Sequence, residues 1–159
     1  SFTGVRISAA AAQGLAFGWD LSVWSISSLQ TLAQTAYRLA GYERVVSMFD
    51  ARMNEVYVAA YVLHQGLMQA VIAETLCAPD KLPVLAAEPW IVVGNGGIYV
   101  EFIQQQLTVK TIQTEMYPHA YDLAVLAQAA WQQGRAQAPE LALPVYFRDS
   151  VWQKLANKS

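Results

Sequence analysis

The sequence has 159 residues, of which 55% are hydrophobic and 14% are charged, and its formal net charge is −2. This apolar balance excludes a disordered chain and predicts a large core, an oligomer interface, or both. The arginines are scattered rather than clustered, so the sequence carries no electrostatic footprint for nucleic acid. The single cysteine, Cys77, excludes an internal disulfide and a cysteine metal site, and it is typical of a protein of the reducing cytoplasm.

The first predicted element is a helix over residues 4–17, with Thr3 suited to its N-cap and Gly18 to its C-terminal stop. The polar side chains between these ends are Arg6, Ser8 and Gln13. A helix that is apolar on nearly all sides must be covered on nearly all sides, either by its own core or by another subunit. Asp20 interrupts the apolar run before the roughly 20 residues that a membrane span requires.

A second helix is predicted over residues 28–40, after an alternating stretch at 21–26 that predicts a strand. Ser27 or Ser28 suits its N-cap, and Gly41 suits its end. One side of this helix is an apolar stripe. The opposite side is polar but uncharged, and it consists of Gln30, Thr31, Gln34 and Thr35. Because an exposed helix face usually carries lysine and glutamate, we expect this neutral outer face to be covered by a partner.

Three apolar runs at 44–50, 56–63 and 67–74 predict an antiparallel meander that begins a new lobe near Gly41. Further along the chain, a buried strand at 90–93 and a last helix opened by Tyr117-Pro118 complete the pattern. The tail around Pro144 is predicted to be extended. The predicted fold class is α/β, with mixed sheets flanked by helices.

A glycine-rich turn, Gly94-Asn95-Gly96-Gly97, lies between the strand at 90–93 and a helix predicted over 98–106. Backbone N–H groups in such a position can bind phosphate. The turn lacks the lysine of a P-loop and the spacing of a dinucleotide fingerprint. Two interpretations therefore remain, a tight structural turn or a nucleotide contact through Gly94, Gly96 and Gly97.

Charged residues suggest two further sites, and each has a structural alternative. Asp50 and Glu55 flank Arg52, and the group is either an acid–base pair or a wet hairpin end in which the arginine pairs with a carboxylate. His119 and Asp122 share a helix face, but two ligands make a poor metal site. No Gly-x-Ser-x-Gly motif is present. The sequence therefore predicts neither catalytic residues nor a metal.

Three motifs carry a family resemblance. They are Ser1-Phe2-Thr3-Gly4-Val5-Arg6-Ile7, Asp50-Ala51-Arg52-x-x-Glu55-Val56-Tyr57 and Pro144-x-Tyr146-x-Arg148. Together they resemble the TsaB (YeaZ) family, bacterial relatives of the enzyme TsaD within the actin-like ATPase superfamily. The pair Trp24-Ser25 departs from the family, which tends to have Val-Gly there. The opening strands of the family precede the first motif, so the resemblance implies that this sequence starts inside it.

The resemblance implies an actin-like (RNase H-like) fold with an incomplete first lobe. Residues 1–41 would be the remainder of that lobe, and residues 42–159 the C-terminal lobe. It further implies a cytoplasmic, non-catalytic subunit of the complex that makes threonylcarbamoyladenosine on tRNA. No membrane is implied as a partner. The implied partners are a TsaD-like catalytic subunit, a TsaE-like ATPase and, in isolation, a second copy, with tRNA met only through the complex.

No cofactor is established by these residues, and ATP or ADP at the interface of the complex is what the superfamily implies. The helices at 4–17 and 28–40 would form the partner surface. The expected surface residues are Arg6, Ala9, Ala12, Gln13, Ala16, Gln30, Thr31 and Gln34. The alternative function is a glycoprotease-like peptidase or hydrolase that acts alone.

Overall fold

The computed structural model describes residues 2–147; Arg148 of the third motif lies outside them. These residues form two compact units, one of residues 2–25 with 130–147 and one of residues 26–129. The second predicted helix lies in the unit that contains the strands. The division into lobes near residue 41 stays a prediction. Each unit is described separately.

The larger unit is built on a mixed five-stranded sheet, as the α/β prediction requires. The strands are β1 (Arg44–Arg52), β2 (Glu55–His64), β3 (Leu67–Cys77), β4 (Trp90–Val93) and β5 (Val109–Gln113). In spatial order they are β3, β2, β1, β4 and β5. The pairs β3–β2 and β2–β1 are antiparallel, whereas β1 pairs with β4, and β4 with β5, in parallel. The short β5 was not predicted, because five half-exposed residues carry little periodic signal.

Helices cover both faces of this sheet. Against one face, α2 (Ser28–Ala40) packs Leu32 and Ala36 onto Val45 of β1. Against the other, α3 (Val100–Gln106) contributes Ile103 to a cluster with Val92 of β4. A third helix, α4 (Ala120–Gln132), begins in this unit. In β1 the neighbouring residues Val45 and Val46 belong to different clusters, so opposite faces of this strand contribute to two cores. This explains the continuous apolar runs in the sequence.

The predicted ends of α2 are confirmed. The Ser27 hydroxyl accepts hydrogen bonds from the backbone N–H groups of Leu29 at 3.0 Å and Gln30 at 3.2 Å. At the other end, Gly41 has a φ of 66° and donates its N–H to the Tyr37 carbonyl at 2.8 Å. These are the contacts that satisfy the otherwise unpaired backbone groups of helix termini.

The prediction that the polar side of α2 faces outward is wrong, because the polar side chains on it are buried. Thr31, Gln34 and Thr35 are 2%, 4% and 1% exposed. The Gln34 side-chain carbonyl accepts the Met68 N–H at 2.8 Å, and its amide donates to the Gly66 carbonyl at 3.0 Å. The Gln30 amide donates to the Met68 carbonyl at 2.9 Å. Strand β3 is the edge of the sheet, and the two glutamines satisfy backbone groups that no further strand reaches.

The next turn of α2 holds α4 through a buried carboxylate. Arg38 approaches Asp122 with two 2.8 Å contacts, and the Thr35 hydroxyl donates to the same carboxylate at 2.9 Å. Burial favours the neutral acid, but the hydrogen bonds from Arg38 and Thr35 outweigh it, and the pKa of Asp122 falls below 3.8. Asp122 is therefore committed to an ion pair and is not a metal ligand beside His119.

The smaller unit is built around α1 (Phe2–Trp19). The predicted stop at Gly18 is wrong, since the helix continues for one more residue. Asp20 takes the left-handed conformation at φ 53°, and the Leu21 N–H returns to the Ala16 carbonyl at 2.9 Å. This is the Schellman pattern, in which aspartate replaces the usual glycine.

The strand predicted at 21–26 is also wrong. Only an isolated antiparallel bridge between Val23 and Gln137 forms there, with backbone hydrogen bonds of 2.9 and 3.0 Å. A strand needs a neighbour along its length, and alternation of residues cannot supply one. Among residues 2–147, no helix is both long enough and apolar enough to cross a membrane.

Replacing Gln34 with alanine should lower the free energy of unfolding by about 1–3 kcal/mol, because the buried Met68 N–H loses its acceptor. Urea unfolding followed by circular dichroism measures this loss. The same substitution at Gln105, on the exposed side of α3, is the matched control and should change stability by less than about 0.5 kcal/mol. Equal effects at the two positions would show that the edge contacts contribute nothing.

Asp122→Asn should remove a stabilisation that depends on pH. A carboxylate whose pKa is lowered by folding stabilises the protein above its unfolded pKa of about 3.9, and this contribution is lost as the pH falls through the lower folded value. The wild type should therefore exceed Asp122→Asn in stability at pH 7. The difference should shrink towards about pH 3. Asp80→Asn, at an exposed turn, serves as the control in the same urea titrations.

Candidate functional site

Helix α1 exposes large apolar side chains along most of its length. Ile7 is 64% exposed, Leu15 56%, Phe17 62% and Trp19 68%. Three of these residues, at positions 7, 15 and 19, are separated by eight and four residues and so form one row along the helix. Of the side chains described on this helix, Ala16 alone is buried. Exposed apolar patches of this kind mark interaction surfaces, and α1 is therefore the candidate functional site.

The inner side of α1 holds several residues that sequence analysis assigned to the partner surface. The Arg6 Nε donates to the Tyr146 hydroxyl at 2.8 Å, with the guanidinium 5.6 Å from the ring centre. The Gln13 amide lies 3.3 Å from the Ala142 carbonyl, which accepts its hydrogen bond. Ala16 is 5% exposed. These three residues contribute contacts within the smaller unit of the chain itself.

Two predicted residues of α1 remain available, since Ala12 is exposed and Ala9 is half-buried. The large side chains of the exposed row, Ile7, Leu15 and Trp19, were not among the predicted surface residues. Their four-residue spacing was visible in the sequence. The helix is apolar all round, however, so periodicity alone could not separate its inner side from its outer side.

The predicted contribution of α2 is reduced by its internal contacts. Thr31 and Gln34 are buried, and Gln30 is half-buried with its amide bonded to β3. The large apolar side chain that α2 exposes is Leu39, in its last turn. Most of the outer surface expected on this helix therefore belongs to the fold.

The glycine-rich turn is packed against the sheet, which favours the structural interpretation. A Cβ atom on Gly94 would lie 2.8 Å from Leu32 Cδ2, and one on Gly97 would lie 2.8 Å from Ile112 Cγ2. A Cβ on Gly96 would lie 2.9 Å from the Met48 carbonyl carbon. The N–H of Gly94 donates to Gln113 at 2.9 Å, and that of Gly97 donates to Gly94 at 3.0 Å. These two N–H groups are therefore not available to a phosphate.

The hairpin between β1 and β2 also follows its structural interpretation. Arg52, Met53 and Asn54 all have positive φ, between 56° and 62°. Positive φ values in a tight hairpin turn match the right-handed twist of the two flanking strands. The Asp50 carboxylate accepts the Arg52 N–H at 2.9 Å and approaches its guanidinium at 3.3 Å. The Asn95 side chain accepts the Asp50 N–H at 3.1 Å and ties this hairpin to the glycine-rich turn.

The described residues provide little for catalysis. No group of three histidine, cysteine, aspartate or glutamate side chains that could hold a metal ion occurs among them. Burial, followed by the charges of Asp80 and Glu55, raises the pKa of the Cys77 thiol, which disfavours the reactive thiolate. His119 uses its Nδ1 to accept the Tyr121 N–H at 3.1 Å, at the start of α4. No serine or cysteine in residues 2–147 is hydrogen-bonded to this histidine.

Comparisons with known proteins place these features in a family. Residues 1–154 match the family model described as TsaD, tRNA N6-adenosine threonylcarbamoyltransferase. The chain is 36% identical to the tRNA threonylcarbamoyladenosine biosynthesis protein TsaB of Escherichia coli, covering 99% of this chain and 71% of the relative. It is 37% identical to TsaB of Haemophilus influenzae, with 99% and 70% covered.

Solved structures agree with these relatives. A Pseudomonas aeruginosa crystal structure, described as an uncharacterized protein with similarity to peptidase YEAZ, matches with a TM-score of 0.87 at 43% identity. That match covers 93% of this chain and 69% of the other. YeaZ from the same organism matches with a TM-score of 0.86, also at 43% identity, with 92% and 69% covered. The expected actin-like (RNase H-like) fold is confirmed, and the chain belongs to the TsaB (YeaZ) family of tRNA threonylcarbamoyladenosine biosynthesis proteins.

Proposed function

We propose that this protein is a non-catalytic subunit of the complex that forms threonylcarbamoyladenosine on tRNA, and that it supports a TsaD-like catalytic subunit. The observation that carries the proposal is the exposed apolar row of α1. Contact between these apolar side chains and water is unfavourable. Full burial of each large apolar side chain would stabilise the complex by roughly 1.5–3 kcal/mol. A partner helix packed on Ile7, Leu15 and Trp19 would supply that burial.

The partner surface lies on α1 rather than equally on α1 and α2. Residues with small side chains, such as Ala12, let a neighbouring backbone approach, while the large ones fill the space beside it. In the absence of the catalytic partner, the same surface would pair with itself about a two-fold axis. A homodimer in isolation and a heterodimer in the complex would then compete for one helix.

Further partners follow from the pathway in which the relatives are named. A TsaE-like ATPase would join the complex, and we assign ATP or ADP to the interface of that complex rather than to the glycine-rich turn. tRNA would be met through the complex, because this chain has a net charge of −2. The single cysteine fits a place in the cytoplasm.

A peptidase that acts alone is the second candidate, and the description of the Pseudomonas aeruginosa relative favours it. It would need an activated nucleophile, and the raised pKa of Cys77 works against one. Serine nucleophiles need a neighbouring base, and His119 is engaged at a helix start. The accessory subunit is the better supported of the two functions.

A charge on the outer row of α1 should abolish association without unfolding the protein. Leu15→Glu and Ala12→Arg each place an unpaired charge in the proposed partner surface on α1. We expect affinity for the TsaD-like protein of the same host to fall at least about 100-fold. Light scattering on mixtures of the two proteins measures complex mass, and circular dichroism checks the fold. Gln105→Glu, on exposed α3, is the control.

Two results would contradict the proposed surface. A folded Leu15→Glu protein that pairs at wild-type affinity would place the interface elsewhere. Loss of the helical signal in both variants, with Gln105→Glu unaffected, would show that α1 is a core element of its own chain.

Isolated protein should bind tRNA weakly at physiological salt, since phosphate contacts need clustered cations and the arginines here are scattered. Filter binding or fluorescence anisotropy with labelled tRNA should give a dissociation constant above about 10 μM. Adding the TsaD-like subunit should tighten binding. Sub-micromolar affinity of the isolated chain would overturn the assignment of tRNA to the complex.

A further inference from the structure

The dipeptide Asn95-Gly96, inside the glycine-rich turn, is a chemically reactive pair. The chain has three asparagines, and Asn95 is the one that a glycine follows. An asparagine side chain carries an electrophilic amide carbon, Cγ, and the backbone nitrogen of the next residue can attack it to close a five-membered ring. Glycine has no Cβ to crowd that nitrogen or to restrict the backbone, so this attack is easiest at an Asn-Gly pair.

The fold requires both residues of this pair. Gly96 is buried, and a Cβ atom there would clash with Met48 Cγ and lie 2.9 Å from the Met48 carbonyl carbon. The Asn95 side-chain carbonyl accepts the Asp50 N–H at 3.1 Å and ties the turn to the hairpin between β1 and β2. Packing and hydrogen bonding therefore favour an Asn-Gly pair at this point despite its reactivity.

The reaction of this pair needs only water and a base from the solvent. The Gly96 nitrogen loses its proton to the base and forms a bond to Asn95 Cγ, while the Cγ–Nδ2 bond breaks and Nδ2 takes up a proton and leaves as ammonia. Water then adds to one of the two carbonyl carbons of the resulting succinimide and breaks its bond to nitrogen. One product is aspartate, and the other is isoaspartate, in which the main chain runs through Cβ.

The native conformation of the turn keeps the reacting atoms apart. Asn95 is the first residue of a short 3-10 helix, Asn95–Ile98. At the ψ of such a helix, about −20° to −30°, the Cβ of a residue lies roughly a quarter turn about the Cα–C bond from the next nitrogen. Ring closure needs these two atoms nearly eclipsed. Rotation of the backbone to that position would carry Gly96 out of its place against Met48.

We propose that Asn95 is a deamidation site that folding protects, so that the reaction proceeds only while the turn is open. Local opening is brief and has a free-energy cost, but the covalent product is permanent. Isoaspartate adds a main-chain atom to a turn that has no room for a Cβ at Gly94 or Gly96, so the modified chain cannot regain the native packing. The site therefore converts a transient opening into lasting damage. This inference is independent of the proposed partner surface on α1.

The rate of deamidation in the folded and unfolded chain tests the proposal. The full chain is incubated at mildly alkaline pH, either native or in guanidinium chloride, and conversion of amide to acid is followed in tryptic peptides by mass spectrometry. Asn54, which Glu55 follows, is the internal control. In the unfolded chain Asn95 should react at least about tenfold faster than Asn54. In the native protein Asn95 should react at least about tenfold more slowly than in the unfolded chain, because the rate follows the population of the open state.

Two results of this experiment would overturn the proposal. Equal rates at Asn95 in the native and unfolded chain would show that the turn gives no protection. Unfolded Asn95 that reacts no faster than Asn54 would show that the pair is not a preferred modification site.

The stability of the modified chain provides a second measurement. Protein aged in guanidinium chloride is refolded, and the form with one added negative charge is separated by ion exchange and assayed with an isoaspartyl methyltransferase. The isoaspartate form should have a folding equilibrium constant at least about tenfold lower than that of unaged protein. Asn95→Gln, aged in the same way, is the control and should keep the stability of its own unaged form. An isoaspartate form as stable as unaged protein would contradict the claim that the modification is damaging.

Discussion

The larger unit depends on the way α2 satisfies the open edge of its sheet. Strand β3 ends the sheet, and the buried backbone groups of Met68 need partners that no strand supplies. Gln30 and Gln34 provide both a donor and an acceptor, so the helix is fixed in register with the strand. One turn later the same helix holds Asp122 of α4. Removing a buried polar partner costs more than the bond itself contributes, which makes this polar row a strong constraint on the position of α2.

This constraint explains why α1 and α2 expose different side chains, although both helices have few charged residues in the sequence. The polar row of α2 faces the edge of the sheet, and its apolar stripe faces the sheet itself, so the helix has little left to offer a partner. Helix α1 has the opposite arrangement. Two of its polar side chains, Arg6 and Gln13, contact residues 142–146 of its own unit, and its large apolar side chains face water. This difference in exposure makes α1, rather than α2, the candidate surface for association.

The other two candidate sites of the sequence, the glycine-rich turn and the charged hairpin, have structural explanations. The glycine-rich turn brings backbone close to Leu32 and Met48, and a Cβ atom would not fit there. The Asp50 carboxylate closes a hairpin by binding Arg52. Both sites lie at the carboxyl ends of adjacent parallel strands, where ligands often bind in α/β proteins. The N–H groups of Gly94 and Gly97 are used internally, however, and this favours the structural interpretation of the turn.

Several properties followed from the sequence by itself. Apolar periodicity and end signals located α2, most strands and the mixed α/β class, since Ser27, Gly41 and the hairpin residues act through local geometry. The three motifs identified the family. Tertiary structure alone decided which side of each helix is covered. Gln34 resembles a surface residue until the edge of β3 is placed beside it, and α1 is apolar on all sides, so no pattern marks its outer row. Exposure depends on contacts between residues distant in sequence, and local patterns do not encode those contacts.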